Sequence, residues 1–188
     1  RLATRRADRR RKPARAFCPT TGTIAVNLMQ VVALPRIGTF EAWRDAARDL
    51  ATHGVPSHAV TWQMENAAPS LFGDAPQRTK TGVPRQITVP KGFPALAKML
   101  CASRAQGAFE LAYRLLIRVA DCPKLLSNRA DPDMDRAEKL AKNIRRDMHK
   151  MKAFVRFREV TQPGANRRQF VSWFEPDHRI EELIGGFF

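Results

Sequence analysis

Hydrophobic residues between Met134 and Met151 recur at intervals of three and four, which is the spacing of a helix with one buried face. Asp131 precedes this run as a candidate N-cap, Pro132 stands at the first helical position, and Asp133 adds negative charge to the first turn. The pattern therefore predicts a helix that begins at Asp131. Its core stripe is predicted to be Met134, Ala137, Leu140, Ala141, Ile144, Met148 and Met151.

The opposite side of this predicted helix is basic. Nine lysines and arginines lie between Asp135 and Arg158 against three acids, so the net charge of the stretch is +6. A solvated face is the simplest interpretation of such a run, and a phosphate-binding face is the functional one. The candidate contacts on the helix are Lys139, Lys142, Arg145, Arg146, His149 and Lys150. Asp147 and His149 are two residues apart and do not face each other on a helix, so they are not expected to form an acid–base pair.

After Lys152 the pattern changes to the two-residue alternation of a strand. The stretch Ala153–Val160 is predicted to form one strand, and FVSWFE, which begins at Phe170, is predicted to form another. The turn-prone segment TQPGANRRQ separates them. The sequence thus predicts an aromatic β-hairpin near the C-terminus.

The register of the hairpin follows from an assumed turn position. If the turn centres on Ala165, Phe157 faces Trp173 and Arg156 faces Phe174. One face would then be apolar, while the other would combine arginine with an aromatic ring.

The N-terminal half alternates strand-like and helical patterns. Strands are predicted at Gln30–Leu34 and Val60–Met64, with a helix between them from Thr39 as N-cap to Gly54 as its stop. Leu71 to Pro90 is predicted to be a loop that contains a third strand at RQITV. Further helices are predicted to open at Pro94 and to span Ala108–Ala120. Trp43 and Tyr113 are assigned to the core.

These elements predict the α+β class, with one mixed domain of about four helices, a short N-terminal strand pair and a C-terminal aromatic β-hairpin. The 188 residues suffice for one domain with a core of ordinary size. The domain is expected to span residues 29–188 and to continue beyond them, because the chain ends in the apolar stretch IGGFF.

The formal charge of +15 is unevenly spread along the chain. Residues 1–16 hold eight arginines or lysines and one aspartate, a net of +7, which leaves +8 for the remainder. Residues 1–28 also lack apolar periodicity, so they are expected to be a basic disordered or upstream segment. A nucleic-acid-binding arm and an arginine-rich transit peptide are the alternatives.

The cysteines and the missing signatures exclude several classes of protein. Cys18, Cys101 and Cys122 are widely spaced, which favours a reducing, cytoplasmic compartment over a disulfide scaffold, a zinc ribbon or an iron–sulfur cluster. Cys101 and Cys122 are interpreted as core residues. The common nucleotide-binding, zinc-protease and hydrolase signatures are absent from the sequence. We therefore expect no cofactor in this chain, no metal site of its own and no membrane span.

Candidate catalytic groups lie around the hairpin. Glu159, Glu175 and His178 can be brought near one another by the predicted strands, as an acid–base or metal-binding cluster. Solvated charges at the hairpin ends are the simpler interpretation.

The hairpin also extends the basic helix face. Arg156 and Arg158 on the first strand, Arg167 and Arg168 in the loop, and Phe174 on the second strand add cations and a stacking ring. Consecutive basic elements of this kind can neutralise several backbone phosphates. The sequence therefore favours DNA as the partner.

The run ADPDMDRAEKLAKNIRRDMHKMKAFVRFREV, followed by FVSWFEPDHRI, resembles a domain of unknown function of bacterial probable DNA-metabolism proteins. The upstream segments FEAWRDAARDLATHGVP, VTWQ and AFELAYRLLIRV fit the same family in the same order, so the resemblance covers about Met29 to Phe188. That domain is also the N-terminal domain of UdgX-type uracil-DNA glycosylase fusion proteins. The turn ASRAQG departs from the family pattern.

The resemblance implies a role in DNA repair or modification, with a fused or separate uracil-DNA glycosylase domain and a radical-SAM protein as possible partners. It supplies no reaction for this chain. Three functions follow as hypotheses: a DNA-binding accessory module, a DNA-acting enzyme of glycosylase or nuclease type that uses Glu159, Glu175 and His178, and a protein-interaction scaffold for a radical-SAM or glycosylase partner.

Overall fold

The computed structural model of the chain describes residues 29–65, 84–162, 164 and 166–188. The predicted basic segment 1–28 with Cys18, residues 71–83 of the predicted loop, and the assumed turn centre at Ala165 lie outside the described residues. Within them the predicted α+β class is confirmed, with five helices, a parallel strand pair and an antiparallel strand pair.

The N-terminal part of the fold is a parallel strand pair with a helix between its strands. β1 (Gln30–Leu34) pairs with β2 (Val60–Met64), and both strands have the predicted bounds. α1 (Thr39–Thr52) forms the connection that parallel strands require. The predicted N-cap is wrong by one residue. Gly38 caps the helix at a φ of 70°, which glycine adopts without strain, and the Thr39 hydroxyl donates to the Pro35 carbonyl at 2.7 Å.

Three longer helices complete the body. α2 (Gly92–Ala102) begins two residues before the predicted Pro94, and α3 (Ala108–Asp121) closely matches its prediction. α4 (Pro132–Phe154) begins as predicted, because the Asp131 carboxylate accepts the backbone N–H groups of Asp133 and Met134 at 3.1 and 3.2 Å.

Two arginines of α3 join that helix to the start of α4. Arg118 contacts the carboxylates of both Asp131 and Asp133, while Arg114 binds Asp133 at 2.6 and 2.9 Å. Hydrogen bonds from Arg118 and Arg114 hold the pKa values of Asp131 and Asp133, respectively, below their ordinary range. The turn between α3 and α4 is thereby fixed at both ends.

Aromatic side chains connect the strands to α3 in the core. The ring of Trp62 lies 6.0 Å from that of Trp43 and 5.6 Å from that of Tyr113, measured between centroids. The Tyr113 hydroxyl donates to the Val55 carbonyl at 2.7 Å, so its polar end is satisfied although the ring is buried. The core assignments of Trp43 and Tyr113 are confirmed.

The two cysteines in the described residues differ. Cys101 is buried, as predicted, whereas Cys122 is exposed. The prediction for Cys122 is wrong because this residue follows the last turn of α3, where the chain leaves the core.

The predicted third strand at RQITV is also wrong. Residues 85–89 form no strand, although Ile87 and Val89 pack against the core. Arg85 donates its backbone N–H to the Thr52 carbonyl at 3.0 Å. The alternating pattern thus reflects one-sided packing of an extended segment.

The C-terminal hairpin is shorter than predicted. α4 continues through Phe154, so the first strand, β3 (Arg158–Glu159), starts later than Ala153, and it pairs with β4 (Phe170–Val171). Arg158 lies opposite Val171, which displaces the assumed register by one residue and exchanges the faces of the hairpin. The predicted pairings of Phe157 with Trp173 and of Arg156 with Phe174 are therefore wrong.

A final short helix, α5 (Glu181–Ile184), was not predicted. Its residue Ile184 packs with Ile180 against Ala102 of α2 and Ile144 of α4. Arg179 donates to the carbonyl groups at the end of α2. These contacts bring the C-terminal segment back onto the helices. Among the residues described, no helix is long and apolar enough to cross a membrane.

Candidate nucleic-acid interface

The basic face of α4 is exposed because the opposite face of the helix is anchored in the core. Met134, Ala137, Ala141 and Ile144 are each at most 2 % exposed. This burial fixes the rotation of the helix and directs the remaining positions toward solvent. All six predicted helical contacts are exposed: Lys139, Lys142, Arg145, Arg146, His149 and Lys150.

Acidic neighbours partly neutralise this face. Three of its cations form ion pairs with carboxylates, all of them at the surface, where each pair stabilises the fold only slightly. They are Lys139 with Asp135 at 2.7 Å, Arg145 with Glu138 at 3.3 Å, and Lys150 with Asp177 at 3.2 Å.

Lys142 and Arg146 differ from these three. Neither forms an ion pair within the described residues. They are four residues apart on one helix and therefore lie on the same face, about one turn from each other. Two neighbouring cations are thus not neutralised by any carboxylate of the described residues.

Sequence reasoning missed the role of Asp147. It counted this residue among the acids of the basic stretch, judged that it does not pair with His149, and assigned it no partner. Asp147 is 3 % exposed, and its Oδ2 accepts the backbone N–H of His178 at 2.9 Å. A signal was present in the sequence, since Asp147 follows Ile144 by three residues and precedes Met151 by four, on the apolar stripe itself. A carboxylate at such a position indicates a specific partner.

An open cleft of about 190 Å³ lies beside this contact. Its walls come from α4 and from the segment before α5, which the Asp147 hydrogen bond holds together. The cleft is polar and mixes both signs of charge. It is lined by Asn143, Arg146, Asp147, Lys150, Asp177 and His178.

The hairpin carries the remaining predicted cations. Arg156 donates to the carbonyl groups of Ala153 and Val155 at 2.9 and 3.0 Å, which satisfies the end of α4 while the positive charge remains. Arg158 and Arg167 are exposed and have no ion pair in the described part of the chain. Phe174 is half-buried.

Arg168 has two contacts at once. It binds both oxygens of Glu159, at 2.7 and 3.1 Å, and its guanidinium carbon lies 5.0 Å from the centroid of the Phe170 ring. A guanidinium beside an aromatic face is a favourable cation–π arrangement.

The three candidate catalytic residues occupy different environments. The hydrogen bonds from Arg168, followed by one from Thr161, hold the pKa of Glu159 below its ordinary value, which suits an ion-pair partner better than a proton donor. Glu175 is exposed and forms no hydrogen bond or ion pair with the other described residues. His178 Nδ1 accepts the Arg104 backbone N–H at 3.4 Å.

No group of three or more histidine, cysteine, aspartate or glutamate side chains among the described residues is arranged to hold a metal ion. Glu159 and His178 contact different residues. Glu159 accepts hydrogen bonds from Arg168 and Thr161, whereas His178 contacts Arg104 and Asp147.

Comparison with known protein families gives one match. The family model of a domain of unknown function, DUF4130, matches residues 106–188, which are 83 of the 188 residues. The matched segment contains α3, α4, the hairpin and α5, and thus the whole of the basic surface. The resemblance to a domain of unknown function is supported over this part of the chain. Neither the curated proteins nor the solved structures gave a match.

Proposed function

We propose that this chain is a DNA-binding accessory module of a DNA repair or modification system. The observation that carries the proposal is the exposed basic face of α4, in which Lys142 and Arg146 have no acidic partner in the described residues. Exposed cations without an acidic partner can replace the counterions of a phosphate backbone, and the release of those counterions favours binding.

The hairpin extends the proposed surface. Arg156, Arg158 and Arg167 lie between the end of α4 and β4 and form no ion pairs within the described residues. Together with Lys142 and Arg146 they provide five cations that are not neutralised by a described carboxylate. Phosphate contacts of this kind position a protein on DNA and carry no sequence information by themselves.

The partners belong to the same proposal. The sequence resembles the domain that precedes uracil-DNA glycosylase domains in UdgX-type fusion proteins, so the module would hold DNA for a fused or separate glycosylase domain. A radical-SAM protein is the other partner that the resemblance implies. The enzyme hypothesis receives less support, because both oxygens of Glu159 are bound by Arg168.

The test is the salt dependence of DNA binding by the full chain. The variant Lys142→Ala with Arg146→Ala is compared with wild type by fluorescence anisotropy on a labelled duplex over a series of salt concentrations. We expect weaker binding and a slope of log K against log salt that is smaller by about 2, since each phosphate contact contributes about 0.9.

A matched control removes the same two charges elsewhere. Arg48 on α1 and Lys91 before α2 are exposed, and neither forms an ion pair with another described residue. Arg48→Ala with Lys91→Ala should leave the slope within error of wild type. An unchanged slope in the α4 variant, or equal losses in both double variants, contradicts the proposed surface.

A further inference from the structure

Four exposed phenylalanine rings and two cations form a set of two contact groups at the C-terminal end of the fold, one around Phe187 and one on the hairpin. We name it the aromatic strip and define it as Lys152, Phe157, Arg168, Phe170, Phe187 and Phe188. Its rings are between 50 and 60 % exposed. Exposed aromatic groups that lie together, unlike scattered ones, mark an interaction site.

Ring contacts connect one end of the strip. The Phe157 and Phe188 rings lie 5.5 Å apart between centroids at an interplanar angle of 65°, and the Phe188 and Phe187 rings lie 5.0 Å apart at 86°. Edge-to-face pairs of this kind leave part of each ring face open. Lys152 Nζ lies 4.7 Å from the Phe187 centroid.

The hairpin register connects the other end. Glu159 and Phe170 are directly opposite in the β3–β4 pair, so their side chains lie on one side of the hairpin. Arg168 binds Glu159, and its guanidinium lies over one face of the Phe170 ring. Phe157 lies immediately before β3, two residues from Glu159. The two groups of the strip are therefore adjacent in the chain, between the end of α4 and the hairpin.

The charge around these rings is positive. Residues 152–174 contain five lysines or arginines and one acid, a net of +4. The single acid is Glu159, and Arg168 neutralises it. Lysine is depleted in protein–protein interfaces, whereas here Lys152 lies beside the rings at one end of the strip. A polyanion with flat, apolar groups is the complementary ligand.

Single-stranded nucleic acid has that chemistry. Its unpaired bases offer open faces for stacking on aromatic rings, and its phosphates contact the neighbouring cations. In a duplex the same faces are covered by adjacent base pairs, so a strip of phenylalanines finds no stacking partner there.

We propose that the aromatic strip binds single-stranded nucleic acid by stacking bases on Phe157 and Phe170 beside Arg168 and Lys152. This inference rests on the proposed function and refines it by naming the strand form. The α4 face then supplies contacts to phosphates of either form, and the strip adds the preference for unpaired bases.

The test uses one double variant of the chain, which carries both Phe157→Leu and Phe170→Leu, and compares it with wild type. Leucine keeps an apolar side chain and removes the π face, so it distinguishes stacking from hydrophobic docking. Binding is measured by anisotropy on a short labelled single strand and on the duplex formed with its complement. Ile37→Ala, which shortens an 84 % exposed apolar residue outside the strip, is the control.

We expect the wild type to prefer the single strand. In the leucine variant the dissociation constant for the single strand should rise at least about fivefold, as loss of base stacking predicts. Its dissociation constant for the duplex and its circular dichroism spectrum should not change. The control variant should bind both forms as the wild type does.

Other outcomes overturn the inference in distinguishable ways. If both forms bind without preference and only Lys142→Ala with Arg146→Ala weakens them, the proposed function stands and the strip is not a stacking site. If the wild type forms dimers that the leucine variant loses, with unchanged single-strand binding, the strip is a contact between copies of this chain. If neither form binds, the proposed function fails together with the inference.

Discussion

Replacement of Asp147 by alanine tests how the C-terminal segment is held against α4. The buried carboxylate accepts the His178 backbone N–H at 2.9 Å, and both groups line the same cleft. A hydrogen bond to a charged group stabilises a protein by about 1.5–3 kcal/mol. We therefore expect Asp147→Ala to lower the free energy of unfolding by about 2 kcal/mol. For a chain of this size that loss lowers the Tm by roughly 4–8 °C.

The conservative variant Asp147→Asn separates the hydrogen bond from the shape of the side chain. Its amide oxygen can still accept the His178 N–H, so its Tm should lie nearer to that of wild type than to that of Asp147→Ala. Thermal unfolding is followed by far-ultraviolet circular dichroism at neutral pH and equal protein concentration. A Tm of Asp147→Ala within error of wild type refutes the assigned role. The assigned role is also refuted if Asp147→Asn is as unstable as Asp147→Ala.

Local exposure gives a second measurement of the same contact. The segment after Asp177 is attached to the body by Ile180 and Ile184 as well as by Asp147. In Asp147→Ala, backbone amides near His178 should exchange with deuterium faster than in wild type, because their opening free energy falls. The opening free energy of amides in the core helix α3 should fall by no more than the loss of global stability, about 2 kcal/mol.

Two further predictions concern titration and thiol chemistry. The arginines of α3 lower the pKa values of Asp131 and Asp133. The unfolded chain therefore binds more protons than the folded chain at acidic pH. The stability that these ion pairs provide is lost as the pH falls below about 4. The Tm should therefore fall less between about pH 6 and pH 2 in the double variant Asp131→Asn with Asp133→Asn than in wild type. An equal fall in both proteins contradicts the role assigned to these two carboxylates. In a Cys18→Ser background, a thiol reagent should label exposed Cys122 in the native state and reach Cys101 only on unfolding, because burial raises the pKa of Cys101; equal labelling rates contradict this.

The elements that sequence predicted well are those with a local physical cause. The Asp131 cap and the stripe from Met134 to Ile144 specify α4 through neighbouring residues alone, and both are confirmed. The bounds of β1 and β2 followed from their apolar runs. In each case the preference of the segment agrees with its place in the fold.

The predictions that failed depended on partners distant in the chain. RQITV has the alternation of a strand, but no strand in the described part of the chain pairs with residues 85–89. The hairpin register depends on where α4 ends. The helix extends to Phe154 and so includes two residues, Ala153 and Phe154, that had been assigned to the strand. The position of Asp147 on the apolar stripe indicates a buried partner, but it does not identify that partner as His178, which lies 31 residues later. Local pattern does not specify which distant residue a side chain contacts.

The one-residue displacement of the hairpin changes the proposed surface as well as the fold. In the assumed register, Phe157 would face Trp173 and each would cover part of the other. In the observed register Trp173 is 87 % exposed, and Phe157 contacts Phe188 instead. Glu159 then lies opposite Phe170, and Arg168 binds the acid while its guanidinium lies over one face of the Phe170 ring. The Phe157 and Phe170 rings remain 53 and 50 % exposed. Exposed rings beside cations suit a nucleic-acid ligand better than the closed apolar face of the assumed register would.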